Sequence, residues 1–409
     1  MSYMHGIYTA RVANAGALTA KAQGTIPVYI GTAPIHKAAD FATNGAARVN
    51  TPILINSYRE AVALFGDSDD WAKFTLCEVF HAHFLNDMNP IAPIIVVNMN
   101  DGSDGDDYAI SGVTEEAFAA ALASIATVEQ ICGVVPSIIC APAFGDKYMD
   151  KMIAFCTAGI ADKWGCVAYI DLPATVKTIA AAKTEGTRIT SKYVRPHFPK
   201  SYYGGKVYHL SVLDVLASMW TDTETDGFAC RSSSNTAIPC AAPCLNKDEK
   251  LYFSETEANE LNAVGITTVN YIGGEYRLWG GHMGNFDQSK VDSIDPDDMS
   301  DATVRADIYL QNWFKREYVD NIDFPVSRRD IDDIVARVNI GLNSFVKNGY
   351  ILYGACYFDA SNNPTAEIVA GNLKLNVQYT GTPNGKSITF EVGHTTAGLA
   401  SLENNEEEV

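Results

Sequence analysis

Gly381-Thr382-Pro383-Asn384-Gly385-Lys386-Ser387 ends like a phosphate-binding loop. Three residues separate its glycines where that motif needs four, and the following Ile388-Thr389-Phe390-Glu391-Val392 is patterned as a strand. A phosphate loop must run into a helix whose N-terminus holds the anion, so a turn is predicted instead. His81 and His83 are two apart in a helical segment, which points them to different faces and prevents a shared metal. Cys230, Cys240, Cys244 and His209 could supply four zinc ligands in number, yet no CxxC pair accompanies them. The acidic stretch 98–107 is rich in oxygen ligands but fits no EF-hand spacing and lacks the closing Glu; it reads as a solvated loop, with a weak, adventitious calcium site as the minority reading. Gly-X-Ser-X-Gly, Gly-X-Gly-X-X-Gly and His-Glu-X-X-His do not occur, and the pair Asp332-Asp333 falls on an exposed helical face. No catalytic residue, metal ligand or cofactor site is therefore predicted.

The elements around these residues point to a large folded chain. At 409 residues, with 47% hydrophobic and 19% charged residues, it exceeds one ordinary core and predicts two or three packed units. A formal net charge of −19 disfavours nucleic acid and anionic membranes as partners, and no apolar run is long enough to cross a bilayer. Nine cysteines without regular spacing sit mostly in apolar segments, as expected of buried thiols in a reducing compartment. The opening residues lack the features of a signal peptide, so a cytosolic site of synthesis is expected.

Between residues 25 and 190 short apolar runs alternate with helical periods, the pattern of a mostly parallel α/β sheet. Strands are read at Ile26–Ile30, Ile53–Ile55, Ile94–Val97, Pro136–Cys140 and Val167–Ile170. Ser57 is placed to cap a helix, with Glu60 reaching back and Gly66 ending it. From 191 to 372 Pro, Gly, Ser and Asn become frequent and the rhythm is lost, so a second, α+β unit is predicted. Its clearest helix runs from Ser327 to about Asn348, with Ile331, Ile334, Val335, Val338, Leu342 and Phe345 at helical spacing and Gly349 as its stop. The opposite face carries Arg329, Asp333 and Arg337 as a ladder of i,i+4 pairs.

Both ends read as arms. Residues 1–24 hold one isolated strand, Ile7-Tyr8-Thr9-Ala10-Arg11-Val12. In residues 373–409, Leu373, Leu375 and Val377 alternate with polar residues, as do Ile388, Phe390 and Val392 after the turn, which predicts a β-hairpin; an acidic tail follows Leu402.

Several segments, in order, resemble the tail sheath family of contractile bacteriophages, R-type bacteriocins and related injection systems. Gly6–Val12 followed by Thr25–Ala33 is similar to the family's N-terminal arm and first core strand, and Thr51–Ser57 through Phe65-Gly66 to its strand, serine-capped helix and Phe-Gly element. Gly227–Asn235 sits where such proteins carry a Ser-Asn or Ala-Asn stretch. Leu261-Asn262, Gly265-Ile266 and Trp279-Gly280 resemble the family's Leu-Asn, Gly-Ile-Asn and Trp-Gly signature. His282-Met283 replaces the usual Arg-Thr, and the usual Trp and Pro near 229–233 are missing.

The resemblance implies a subunit that stacks as rings or a helix, six-fold in the family, around a tail tube protein. It also implies baseplate and tail terminator partners, a place in a virion tail or injection particle assembled in the host bacterial cytoplasm, and collapse to a shorter, wider sheath on firing. A strand at each end suits head-to-tail exchange, which generates open polymers; Ile7–Val12, Leu373, Leu375, Val377, Ile388, Phe390 and Val392 are the candidates for it. The resemblance also places a helix of this C-terminal region against the tube. In so acidic a chain the basic face of 327–348 then makes Arg329, Arg337 and Lys347 the candidate tube contacts. The rival readings are a cytosolic α/β enzyme with a dispersed site, which requires a deep pocket with convergent perturbed groups, and another tail or baseplate component.

Overall fold

The computed structural model describes residues 24–85, 93–162, 164–323 and 327–402. The apolar runs assemble into one sheet from β1 (Pro27–Gly31), β2 (Ile53–Ile55), β3 (Ile94–Asn98), β4 (Ile138–Cys140), β5 (Val167–Asp171) and β6 (Val194–His197), in the order β2-β3-β1-β4-β5-β6. All neighbours run parallel except β2, which pairs antiparallel with β3 at the edge.

The strands are apolar at successive positions because both faces are covered. Tyr29, Val96, Ile138 and Tyr169 point into one layer with α2 (Thr75–Phe84). Val28, Val97, Ile139 and Ile170 point into the other with α3 (Glu115–Ser124) and α4 (Met149–Asp162). The helix predicted after Ser57 is α1 (Tyr58–Phe65). Ser57 Oγ accepts from Glu60 N, while the Glu60 carboxylate reaches back to Asn56 N at 2.8 Å, and Gly66 ends the helix at φ 75°.

The sheet does not stop at residue 190. β6 lies beyond it, and after α5 (Ile179–Gly186) the helix α6 (Leu210–Thr223) crosses back to fill the first layer with Leu213 and Leu216. Val194-Arg195-Pro196-His197 was not recognised as a strand because two of its four residues are charged or titratable and a third is proline. A small sheet β7 (Lys200–Tyr203), β8 (Lys206–Tyr208) and β9 (Ala242–Cys244) is ordered β8-β7-β9. The helix α7 (Glu255–Asn262) precedes the hairpin β10 (Thr268–Ile272) and β11 (Glu275–Trp279). That hairpin turns on Gly273-Gly274, both at positive φ as a two-residue primed turn requires.

The helix α8 (Asp301–Glu317) joins two cores: Val304 and Ile308 pack into the first layer of the sheet, Ala306 and Leu310 into a separate C-terminal core. The predicted long helix is α9 (Arg328–Lys347), capped by a Ser327/Asp330 box, and Gly349 follows at φ 77°. Ile331, Ile334, Val338 and Leu342 of its stripe are buried, the last three in the C-terminal core.

The predicted C-terminal hairpin is corrected. β13 (Leu375–Gly381) pairs antiparallel with β12 (Ile351–Phe358), and Ile388, Phe390 and Val392 belong to no strand. Two physical reasons decide this. β12 leaves α9 directly at Gly349 and offers a ladder against which Leu375 and Val377 can pack into the C-terminal core, whereas residues 388–392 would bury nothing there. Pro383 also lacks the N–H needed to continue a ladder past Gly381. The strand Ile7–Val12 and the acidic tail after Leu402 lie outside the described residues.

Candidate functional site: a filled crevice, a buried charge cluster and open C-terminal edges

In open α/β sheets a ligand enters beyond the carboxyl ends of the strands, at the N-terminus of a helix. Here the chain fills that place itself. Asn98 Oδ1 accepts from Ala33 N at 2.9 Å and Asn100 Nδ2 donates to Ala33 O at 2.9 Å, which ties the acidic loop down at its root. At the start of α6, Ser211 N donates to Asp171 Oδ1 at 3.2 Å, and the buried Glu78 takes the His209 backbone N–H and contacts Nδ1 of its ring at 2.7 Å. Two of the protein's own carboxylates thus occupy the positive end of that helix.

An open cleft beside it is lined by Trp71, Phe144, Lys147, Lys200 and Lys247, with Lys206 paired to Asp69. Among the described residues no group of three or more His, Cys, Asp or Glu could hold a metal ion. His209 is committed to Glu78, and burial pushes the thiols of Cys230 and Cys240 up to about 11, away from nucleophilic or ligating thiolates. His83 contacts Tyr29 Oη at 2.6 Å, while His81 faces Tyr58 and Asp67, on different sides of α2 as expected.

The phosphate-loop look-alike serves as a strap. Thr382 Oγ1 donates to Gly349 O at 3.0 Å, Asn384 Nδ2 donates to Cys230 O at 3.2 Å, and Lys386 Nζ touches His282 Nε2.

Sequence reasoning missed a buried charge cluster. Arg195, fully buried on β6, donates from Nη1 to Asp301 Oδ2 at 2.7 Å and from Nη2 to Gly280 O at 2.9 Å; its Nε lies 3.1 Å from Asp214 Oδ2. Ser232 Oγ donates to Asp301 at 2.9 Å and Ser233 to Asp214. Nearby, Arg305 of α8 pairs with Asp222 and with Thr25, which ties the start of the described chain to α6 and α8. Burial would raise Asp214, but the Arg195 charge and the donors His197 and Ser233 hold it below the ordinary carboxylate range.

Two of the fragments behind the family resemblance, Gly227–Asn235 and Trp279-Gly280, meet here. The Gly280 N–H donates to Ser234 Oγ at 3.1 Å, Asn235 N donates to Leu278 O at 2.7 Å, and a Cβ on Gly281 would stand 2.7 Å from Ser232 Oγ. The available signal was a lone charge in an apolar run, as in Leu213-Asp214-Val215-Leu216 and Val304-Arg305-Ala306, since an isolated charge is buried only with a partner.

The C-terminal unit is unfinished as a monomer. Among the described residues β12 and β13 form a sheet of two strands with both outer edges unpaired. Most of the large apolar side chains exposed among the described residues lie in Val319–Val392, and Ile388, Phe390 and Val392 are 79%, 84% and 94% exposed. Of the predicted strand-exchange residues, Leu375 and Val377 pack inward on the C-terminal core and Leu373 lines an adjacent apolar groove with Ile334 and Val338.

Arg329, Arg337 and Lys347 are all exposed on α9. The predicted Asp333–Arg337 pair does not form: Arg329 stands 4.0 Å from Asp333, and Arg337 lies over the Tyr318 ring at 5.7 Å and reaches Asn321 at 3.4 Å. A stacked guanidinium outcompetes an exposed i,i+4 pair because the ring holds it at little entropic cost.

No protein-family model matches the chain. It is 23% identical over 381 residues to the tail sheath protein of Escherichia phage P2, covering 87% of each chain. It is 25% identical over 291 residues to the tail sheath protein of Burkholderia phage BcepMu, a match that spans 66% of this chain and 57% of that relative's length. A putative prophage major tail sheath protein of Pseudomonas aeruginosa is 22% identical over 98% of the chain and 99% of its own length. Among solved structures, the fold resembles a chain of the anti-feeding prophage baseplate (TM-score 0.66, 13% identity, 97% of this chain and 100% of that one). It also resembles a chain of an extracellular contractile injection system's sheath complex in the contracted state (TM-score 0.64, 12% identity, 97% and 99%). Along nearly its whole length the chain is thus similar in sequence to phage tail sheath proteins and similar in fold to chains of contractile injection systems.

Proposed function

We propose that the chain is the structural subunit of a contractile sheath: it polymerises around a tail tube, ends on a baseplate, and contracts to drive the tube into a target envelope. The observation that carries this reading is the C-terminal unit, which leaves both sheet edges unpaired and an alternating apolar segment, Ile388–Val392, without cover. Such edges are a liability in a monomer and a joint in a polymer. Ile7–Val12 and Ile388–Val392 act as arms that add strands to the open edges of neighbouring copies, and head-to-tail addition gives an open helix or stacked rings, six-fold by resemblance.

Arg329, Arg337 and Lys347 face the tube. Contacts of that kind, about 0.2–1 kcal/mol each, hold by repetition and still break on contraction. The extended sheath is kinetically held, assembled in the bacterial cytoplasm and carried in a virion tail or injection particle, with a tail terminator at its far end. Catalysis has no part in this reading, which agrees with a strand-end crevice closed by Glu78 and Asp171.

Negative-stain microscopy of the purified protein tests the proposal. Hollow cylinders are expected at raised concentration, and a stable monomer at every concentration and salt would refute it.

A further inference from the structure

The phosphate-loop look-alike is held to the body of the subunit by side chains and not by a ladder. The pairing of β13 with β12 ends at Ile351 and Gly381, and Pro383 has no N–H with which to extend it. Asn384 then uses both ends of its amide on one stretch of backbone: Nδ2 donates to Cys230 O at 3.2 Å and Oδ1 accepts from Ser232 N at 3.4 Å. An amide side chain carries the donor and the acceptor of a peptide group, so Asn384 replaces one ladder pair where the backbone cannot make it. On one side of it Thr382 Oγ1 donates to Gly349 O at 3.0 Å. On the other, Lys386 Nζ meets His282 Nε2 and lies 5.9 Å from the centre of the Phe286 ring, on which His282 is stacked.

The chain is fixed very differently before and after these contacts. Behind them β13 holds to β12 through seven register pairs, with Leu375 and Val377 against the C-terminal core. Ahead of them Ile388, Phe390 and Val392 are almost wholly exposed. The loop that Asn384 grips is itself immobile, because Ser232 Oγ donates to the buried Asp301. A load on Ile388–Val392 therefore falls first on Lys386, next on Asn384 and then on Thr382, and it stops at Gly381 where the ladder begins. Each of these contacts is a separate hydrogen bond near the surface, of a kind that opens singly at small cost.

We propose that residues 382–386 form a releasable strap. It is stowed on the loops 230–232 and 282–286 in the free subunit and peels off from Lys386 toward Thr382 when a partner pulls on the exposed segment, while β13 stays in place. The five residues 382–386, once freed and extended, add about 17 Å of reach. That a neighbouring copy supplies the load rests on the sheath reading above; the stowed strap and its order of release do not.

The test reads the strap in the free, full-length subunit and needs no polymer. Trypsin cuts after Lys386 only when the residues before it are drawn out into the protease, so the rate of this cut, divided by the rate in the matching free peptide of residues 380–392, measures how often the strap is off. Mass spectrometry of the released fragment 387–409 follows it. The wild-type subunit should be cut at least about tenfold more slowly than its peptide, and Asn384→Ala should lose roughly tenfold of protection with the two hydrogen bonds of its amide. Asn384→Asp keeps the acceptor for Ser232 N but not the donor to Cys230 O, and should fall between them. The rate of cutting after Lys374, just before β13, should not change. A wild-type subunit cut as fast as its peptide, or equal protection in the wild type and Asn384→Ala, would overturn the proposal. Equal acceleration after Lys374 would overturn it as well, because β13 would then be loosening together with the strap. A protein that shows the expected rates and never forms cylinders would refute the sheath reading and leave the strap standing.

Discussion

Replacing Ile388, Phe390 and Val392 together by Ser separates the role of this segment in assembly from any role in the fold. Because these side chains are 79–94% exposed, the monomer gives up almost no buried apolar area, and its melting temperature should stay within about 2 °C of the wild type. Residues two apart in an extended chain share a face, so a neighbour's sheet can cover all three at once. Full burial of each stabilises by about 1.5–3 kcal/mol, or roughly 5–9 kcal/mol for the three. Ordering the five residues 388–392 costs about 1–2 kcal/mol each, which consumes most of that gain. A single joint is therefore close to balance, and polymerisation depends on repetition and on the other strands exchanged. Removing even about 4 kcal/mol per joint should raise the concentration needed for polymers by roughly a thousandfold. Sedimentation velocity with negative-stain imaging reads that threshold, and circular dichroism reads the monomer. Polymers at the wild-type threshold would refute the reasoning, and a melting temperature lowered by 10 °C would show that the segment belongs to the subunit's own core.

Asp301→Asn leaves the buried Arg195 without one of its carboxylates and should cost about 3–5 kcal/mol in urea unfolding, whereas Glu317→Gln, at a half-exposed pair 3.8 Å from Arg316, should stay within about 0.5 kcal/mol. His282 is held to about 3 by burial and by the adjacent Lys386, so the folded chain keeps it neutral while an unfolded imidazole charges below pH 6.5. Its contribution is complete above that pH and is lost at about 1.4 kcal/mol per pH unit as pH falls toward 3; the acid slope of thermal unfolding should be shallower in His282→Phe, which keeps the stack on Phe286. Charge reversal of Arg329, Arg337 and Lys347 to Glu should leave free sheath polymers intact but prevent extended sheaths from holding on tubes at physiological salt, as scored by microscopy of mixed assemblies.

Much of the sheet was legible in the chain because a strand buried on both faces must be apolar at every position. Ile94-Ile95-Val96-Val97 and Val167-Ala168-Tyr169-Ile170 therefore announce themselves without reference to any partner. The starts and stops of α1 and α9 were legible for the same reason, since Ser57, Gly66, Ser327 and Gly349 act within a few residues of their own position.

What lay beyond sequence reasoning was every choice between partners distant along the chain. Alternation in Leu375-Asn376-Val377 specifies a strand with one apolar face but not which strand it meets. β12 won because α9 delivers it beside the core that face must cover. Arg195, His197, Asp214 and Asp301 are scattered over more than a hundred residues, and although Asp214 stands alone in an apolar run, nothing local says which partners it meets. Only the packing of β6, α6 and α8 removes water from all four together, and in that dry environment each charge requires the others.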